Sequence, residues 1–383
     1  MRMEPKYVKR RQRGAAVILA SLVLLIGSMV HIGVSFLTSD VSDYKGTGNG
    51  VVQLVTIQEG ATISELGPEL EQRNIVASDK VFQTAAYSNP NAGNIKPGVY
   101  RLQEEMSATS AVAALLDPAN LVEALAIAGG ATLMDVKVVA GEVRTGIYSQ
   151  ISSVTCNEGS VNCVSVEDLQ HVAAHTDPRK LGVPEWAVAN VEARGNDPRR
   201  LEGLIVPGEY VVDPESDAEA ILTDLITRSA TAFADTDIEA RAQAIGLSPY
   251  ELLVAASLVE REAPAGDFDK VARVILNRLH KPMKLEFDST VNYDLTDVEV
   301  ATTDEDRARQ TPWNTYAKEG LPETPIAAAS VTAIEAMENP AEGNWLFFVT
   351  VDKQGTTIFT DTYDQHLKAV DDSINNGVLD SNR

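Results

Sequence analysis

Two carboxylates close a stretch whose other residues are mostly apolar. They are the residues in this 383-residue sequence best placed for acid–base chemistry. The stretch is Ser248–Glu262, S-P-Y-E-L-L-V-A-A-S-L-V-E-R-E, and it ends on Glu260 and Glu262. A carboxyl group held beside apolar surface keeps its proton to higher pH, because burial disfavours the charged form. A general acid working near neutral pH needs that property. The helix is well signalled. Ser248 is an N-cap type, Pro249 suits the first helical position, and Glu251 completes a capping box. Leu252 to Val259 carries no charge, so the helix is expected to be buried on most sides. At 100° per residue, Glu260 stands about 20° from Leu253 and about 40° from Ala256. Glu262 stands about 160° from Glu260, on the side of the capping Glu251. Glu260 is therefore the expected acid. The same pair also reads as an ordinary solvated helix end, as most glutamates are, although acids are disfavoured at a helix C-terminus.

The supporting elements lie downstream. Phe268 to Leu279 reads as a second helix, with Val271, Val274, Ile275 and Leu279 at helical spacing. Its Asn277 either points into a cleft or caps a neighbouring turn. Leu285 to Tyr293 reads as more extended. Asp288, Thr290 and Tyr293 there offer hydrogen-bonding groups for sugar or amide recognition, and a turn built on Asp288 is the plainer reading. Asp294 to Arg309 reads as an acidic surface insertion. Trp313, Asn314 and Tyr316 join flat apolar faces to polar tips, which suits a glycan subsite and equally suits packing. Ile326 to Met337 is expected to be helical. Trp345 to Val351 and Thr356 to Thr360 form a hairpin across residues 352–355. His366 falls in a final helix, Asp364 to Val370, with a structural role.

Several of these runs resemble the signature of the MltG (YceG-like) endolytic murein transglycosylase family. That family carries A-S-[IL]-V-E-[KR]-E, then K-V-A-x-V-[FI]-x-N-R-L, then D-x-T-V-x-Y. Here they stand as Ala256–Glu262 (A-S-L-V-E-R-E), Lys270–Leu279 (K-V-A-R-V-I-L-N-R-L) and Asp288–Tyr293 (D-S-T-V-N-Y). Trp313–Tyr316 (W-N-T-Y) resembles its Y-N-T-Y, and Gly320–Ile326 (G-L-P-E-T-P-I) its G-L-P-P-G-P-I. Upstream, Glu202–Tyr210 (E-G-L-I-V-P-G-E-Y) resembles E-G-[LF]-x-x-P-D-T-Y, with Gly-Glu in place of Asp-Thr. Glu202 matches, and either borders the cleft or is a loop residue. After Glu262 the family often continues E-T-G; here Ala263-Pro264-Ala265-Gly266 comes next, so the loop takes another course. The resemblance runs from about Val55 to Val370.

The resemblance implies a lyase acting on peptidoglycan between MurNAc and GlcNAc. One glutamate protonates the glycosidic oxygen and then deprotonates the C6 hydroxyl of MurNAc, leaving a 1,6-anhydro ring. It maps to Glu260, with Glu262 the fallback and a candidate substrate contact. Such a reaction requires no metal and no cofactor, and cell-wall synthases of the penicillin-binding class are natural partners. Two other readings stand beside it. A muramidase would need a second carboxylate, for which Asp288 is available. A non-catalytic cell-wall scaffold would need only the binding modules.

Charge and hydropathy place the chain. Residues 1–13 hold six basic side chains against Glu4, a net +5, and the next charged residue is Asp40. The overall charge is −23, so the remainder carries −28, which argues against nucleic acid as a partner. Residues 14–36 form an uncharged apolar run long enough to span hydrocarbon, with the basic tail on the cytoplasmic side. The expectation is a retained single-pass anchor in a bacterial cell membrane, with the bulk of the chain outside; a cleaved signal peptide is the competing reading.

The rest falls into modules. Residues 37–50 read as a stalk. Residues 51–120 read as a small α/β module resembling LysM. Residues 121–200 read as a second small module and linker, with Asp177 to Arg200 the joining segment. Residues 201–383 read as the catalytic domain. The expected fold class is α+β: a transmembrane helix, small LysM-like modules, and a mixed α+β catalytic domain around a buried catalytic helix. A P-G-x-Y turn before an amphipathic helix occurs twice, at Pro97–Tyr100 and Pro207–Tyr210. Cys156 and Cys163 flank a polar loop and are expected to pair in an oxidising compartment.

Overall fold

The computed structural model describes residues 42–378, apart from residues 59, 123, 139–141, 157–162, 214–215, 265, 296 and 299–301. The basic tail and the expected span at 14–36 lie outside the described residues. Among the described residues no single helix is long and apolar enough to cross a membrane. The chain divides into two units between Val122 and Glu123.

In the first unit, β1 (Val52–Ile57) pairs antiparallel with β2 (Gly98–Gln103), and β3 (Leu121–Val122) adds to β2. Helices α1 (Ile63–Gln72) and α2 (Asp79–Ser88) lie between the two long strands in sequence, and α3 (Ala108–Leu116) comes after them. The helix starts are written locally: the Glu65 carboxylate accepts from the Thr62 amide at 2.8 Å, and Ser78 and Ser107 cap α2 and α3. Leu66, Leu70, Phe82, Tyr100, Leu102 and Leu115 form the core. Residues 43–50, expected as free stalk, belong to this unit. Asp43 accepts from the Ala108 amide at 3.1 Å, and Gly46 from Ser107.

The second unit begins with β4 (Ala124–Ile127), which pairs antiparallel with β7 (Gly208–Val211). A second sheet has the order β6 (Val143–Arg144), β5 (Val136–Val138), β8 (Asp297–Val298). The hairpin β9 (Phe347–Thr350) and β10 (Thr357–Thr360) forms where its turn residues place it. Helices α4 (Ile147–Thr155), α5 (Val166–His175), α6 (Glu185–Ala193), α7 (Ala218–Asp235) and α8 (Ile238–Ala244) precede α9 (Pro249–Glu262). Then come α10 (Phe268–His280), α11 (Asp288–Asn292), α12 (Asp304–Ala308), α13 (Val331–Glu338) and α14 (Tyr363–Asn375).

Helix α9 is the centre of this unit, with Leu252 to Val259 buried without interruption. The Glu251 carboxylate reaches back to the Ser248 amide at 2.8 Å, closing the capping box. Helices α6, α8, α10, α11 and α13 pack around it. One core runs from Leu125 to Met337 and includes Leu181, Val183, Ala187, Val188 and Val191. The stretch from 124 to 200 therefore shares a core with the chain beyond 200 and forms no module of its own, and the expected joining segment at 177–200 is largely packed. The two P-G-x-Y turns are alike in detail. Each leads into a strand, and each tyrosine donates to the carbonyl four residues before it, Tyr100 to Lys96 at 2.9 Å and Tyr210 to Val206 at 2.5 Å.

Two elements differ from expectation near the glutamates. Asp288–Asn292 is a short helix, and residues 326–330 are irregular and mostly buried, so α13 starts only at Val331. Main-chain pairing decides the second case. The Gly130 amide donates to Ala328 O at 2.9 Å, the Ala328 amide to Ala131 O at 2.7 Å, and the Ile326 amide to the buried Ser257 hydroxyl at 3.1 Å. Those bonds replace the helical ones that local propensity favours.

The disulfide Cys156–Cys163 closes a loop with a separation of 7 residues. Chain entropy alone assigns such a loop about 2.5 kcal/mol. Replacing both cysteines with serine is expected to lower the unfolding free energy by about that amount in urea titrations. The Arg278 guanidinium has a larger structural task. It donates to Leu346 O at 2.6 Å, Leu285 O at 2.7 Å and Lys284 O at 3.2 Å, fastening α10 to the hairpin and to the segment leading into α11. Arg278→Met strands those carbonyls and is expected to cost about 3 kcal/mol or more in the same measurement.

Candidate active site

The glutamates at the end of α9 meet different surroundings. Glu260 Oε2 accepts from both the amide and the hydroxyl of Ser330, at 2.9 and 2.6 Å. Ser330 is the N-cap of α13, its hydroxyl accepting from the Ala333 amide. Glu260 thus ties the end of α9 to the start of α13, where the helix dipole favours an acid. Its other oxygen abuts Gly129, where any side chain would overlap it. Glu262 is half-buried and has one weak main-chain donor, the Ser289 amide, to Oε1 at 3.3 Å. Burial pushes its pKa above the ordinary carboxylate value; the hydrogen bonding to Ser289 opposes the shift, the charge of Asp288 adds to it and that of Arg261 opposes it. The helical-wheel expectation that Glu262 shares the exposed side of Glu251 does not hold, because α11 packs along the end of α9 and covers that side.

A cavity of about 320 Å³ opens beside these residues. Its wall comes from the loop at 128–132, Val136, Arg144, Thr145, Gln150, Arg261, Ser289, Asn292, Tyr293 and Ile326. Ser289 therefore both lines the cavity and holds Glu262. Sequence reading missed Arg144, Gln150, Arg261, Ser289 and the Gly129-Gly130 pair. The double glycine was the visible signal: Gly130 has φ +76° and its carbonyl accepts from Arg261 at 3.2 Å. A methyl group at Gly129 would displace the Glu260 carboxylate.

Of the other candidates, Tyr293 reaches the cavity, and Glu202 stands behind it. Glu202 is 1 % exposed; its carboxylate accepts from the Tyr293 hydroxyl at 3.1 Å and from the Leu133 amide at 3.2 Å. Asp288 has three side-chain partners, with its own side chain 32 % exposed. It accepts from Thr302 at 2.7 Å, from Tyr316 at 2.8 Å and from the Arg307 guanidinium at 3.0 Å. The supposed insertion at 294–309 thus supplies two of its partners. Thr290 is buried and bonded to Phe287 O and Thr315.

The remaining three act as fasteners in this structure. The Asn314 amide donates to the carbonyls of Asp306, Arg307 and Arg309 and closes α12. Asn277 donates to Gly343 O and Trp345 O. Trp313 is 4 % exposed, donates to Thr324, and carries the Arg194 and Arg199 guanidinium groups each 5.0 Å from its ring centroid, so its faces are taken.

The YceG-like family profile matches residues 55–372, most of the chain and all of the site just described. The chain belongs to the YceG-like family. Among similar proteins, an endolytic murein transglycosylase of Bacillus subtilis (strain 168) is 27 % identical over 348 residues, covering 90 % of each chain. An endolytic murein transglycosylase of Streptococcus pneumoniae is 26 % identical over 336 residues, 84 % of this chain and 58 % of that one. The crystal structure of a YceG-like protein from Listeria monocytogenes superposes with a TM-score of 0.52 at 24 % identity, over 83 % of this chain and 98 % of that one, and shares the fold. In YceG-like terms, the A-S-L-V-E-R-E run ends at the cavity, with Arg261 in its wall.

Proposed function

We propose that this chain is an endolytic lytic transglycosylase that cleaves MurNAc–GlcNAc bonds of peptidoglycan, with Glu262 as its acid and base. One observation carries the assignment to Glu262. It is the half-buried carboxyl group with raised proton affinity behind Ser289 of the cavity wall, while Glu260 is committed to Ser330. Glu262 gives its proton to the glycosidic oxygen as the bond from MurNAc C1 breaks. The resulting carboxylate takes the proton of the MurNAc C6 hydroxyl as that oxygen attacks C1. The product strand ends in 1,6-anhydro-MurNAc, and Glu262 is protonated again. The relatives from Bacillus subtilis and Streptococcus pneumoniae bear the same activity in their names.

The hydrolytic alternative needs a second carboxylate to activate water. Asp288 is the candidate for that role, and it is already occupied by an ion pair with Arg307 and by bonds from Thr302 and Tyr316. Mass spectrometry of peptidoglycan digests tests the choice. Anhydro-MurNAc ends are expected, and reducing MurNAc ends would replace the lyase by a muramidase.

The antiparallel β1–β2 pair, with α1 and α2 between its strands in sequence, supports a LysM-like reading of the first unit, as a module that grips glycan. The apolar run at 14–36 behind a basic tail supports a single-pass anchor with the cytoplasmic end at residue 1. An endolytic enzyme held there would release strands as they are made, which makes penicillin-binding synthases its expected partners. Fractionation of cells followed by protease shaving checks the topology: an exposed fragment from about residue 40 onward is expected.

A further inference from the structure

The cavity has the opposite charge to the chain around it. The chain carries −23, yet the cavity wall holds Arg144 and Arg261 and no aspartate or glutamate. Among the described residues neither arginine forms an ion pair. Arg261 is half-buried and spends one donor on Gly130 O; Arg144 is exposed at the rim. Glu262 and Glu202 lie near enough to act on the Arg261 charge, but neither pairs with it, so its planar fork stays open to a carboxylate with two parallel bonds. Burial, then the neighbouring Arg144 charge, hold the Arg261 pKa below its usual value, against the opposing charges of Glu262 and Glu202. Gln150 and Ser289 add neutral donors to the same wall.

We propose that this cavity binds a carboxylate of the substrate, one attached through the lactyl ether of MurNAc, with Arg261 as its principal ligand and Arg144 at the entrance. The inference rests on the peptidoglycan reading and deepens it. In this polymer the lactyl group is what distinguishes MurNAc from GlcNAc. Two sources carry the chemistry: the free lactyl acid of a strand stripped of peptide, or an acid of the stem peptide. Holding either one beside Glu262 sets which sugar presents its C1 and C6 to that residue, so the pair governs register along the strand.

The test is calorimetric binding to the full-length chain carrying Glu262→Gln. Three MurNAc-containing tetrasaccharides serve as probes: the free lactyl acid, its methylamide, and the peptide-bearing form. Adding Arg261→Gln is expected to weaken the carboxylate-bearing probe by about thirtyfold and to leave the methylamide unchanged. Arg144→Gln is expected to have a smaller effect of the same pattern. Arg261→Lys, which keeps the charge and guards against misfolding but lacks the planar fork, is expected to recover part of the affinity. Preference for the free acid or for the peptide form identifies the source. Equal weakening of all three probes, or weakening of none, overturns the proposal. Binding of no probe overturns it together with the peptidoglycan reading. Cleavage of the probes by the Glu262→Gln protein would remove the acid assignment alone, since the pattern across probes would still report the carboxylate site.

Discussion

Glu262→Gln is expected to lower peptidoglycan cleavage by about 10²–10⁴-fold while leaving the fold intact. The amide keeps the shape and still accepts from the Ser289 amide, the main-chain donor to this carboxylate. What it cannot do is give a proton to the leaving oxygen. In the native chain the group's raised pKa also sets a direction for the pH profile. Activity should fall as pH rises and Glu262 loses its proton before substrate arrives. Glu260→Gln should behave differently. It weakens the tie to Ser330 at the dipole-positive end of α13, worth about 1 kcal/mol, and leaves turnover near native when measured below the melting range. Timed digests of purified peptidoglycan by the two variants, beside thermal melts, decide the matter. Full loss with Glu260→Gln and survival with Glu262→Gln would return the acid role to Glu260.

Stability should carry a pH signature from Glu202. Burial pushes its pKa up from 4.5 to about 7, against opposing bonds from Leu133 and Tyr293 and the charge of Arg199. A carboxyl group whose folded-state pKa lies above its unfolded value binds more protons when folded. Its stabilising contribution is complete below about pH 4.5 and is lost as pH rises through about 7. The span corresponds to a loss on the order of 3 kcal/mol. Glu202→Gln retains an acceptor for the Leu133 amide and the Tyr293 hydroxyl and cannot ionise. The stability of this variant relative to the native chain should therefore improve between about pH 4.5 and about pH 8. Urea unfolding of both proteins at those two pH values measures it. A difference that stays flat with pH would mean that Glu202 ionises normally in the folded chain. Because Glu202 holds Tyr293 at the cavity wall, a shift in activity over the same range in the native enzyme alone would tie the two effects together.

Much of this protein is written locally. Ser248, Pro249 and Glu251 start α9, the uncharged run to Val259 buries it, and α10 and the 347–360 hairpin fall where periodicity and turn residues put them. Those features depend on neighbours within four or five positions, so they are legible without any fold in hand. The same local pattern pointed to the end of α9 as the place for the proposed chemistry. The proposed choice between the two glutamates rests on tertiary contacts. A helical wheel counts only the residues of its own helix, so it could not see Ser330 arriving to engage Glu260 or α11 covering Glu262. For the same reason Trp313 and Asn314 looked like ligands for sugar, until the arginines on one and the α12 carbonyls on the other appeared. The cavity draws its wall from segments near 130, 144, 261, 289 and 326, which meet only when the core closes. No local pattern marks Arg144 and Arg261 as neighbours, and their shared space exists only in the folded chain.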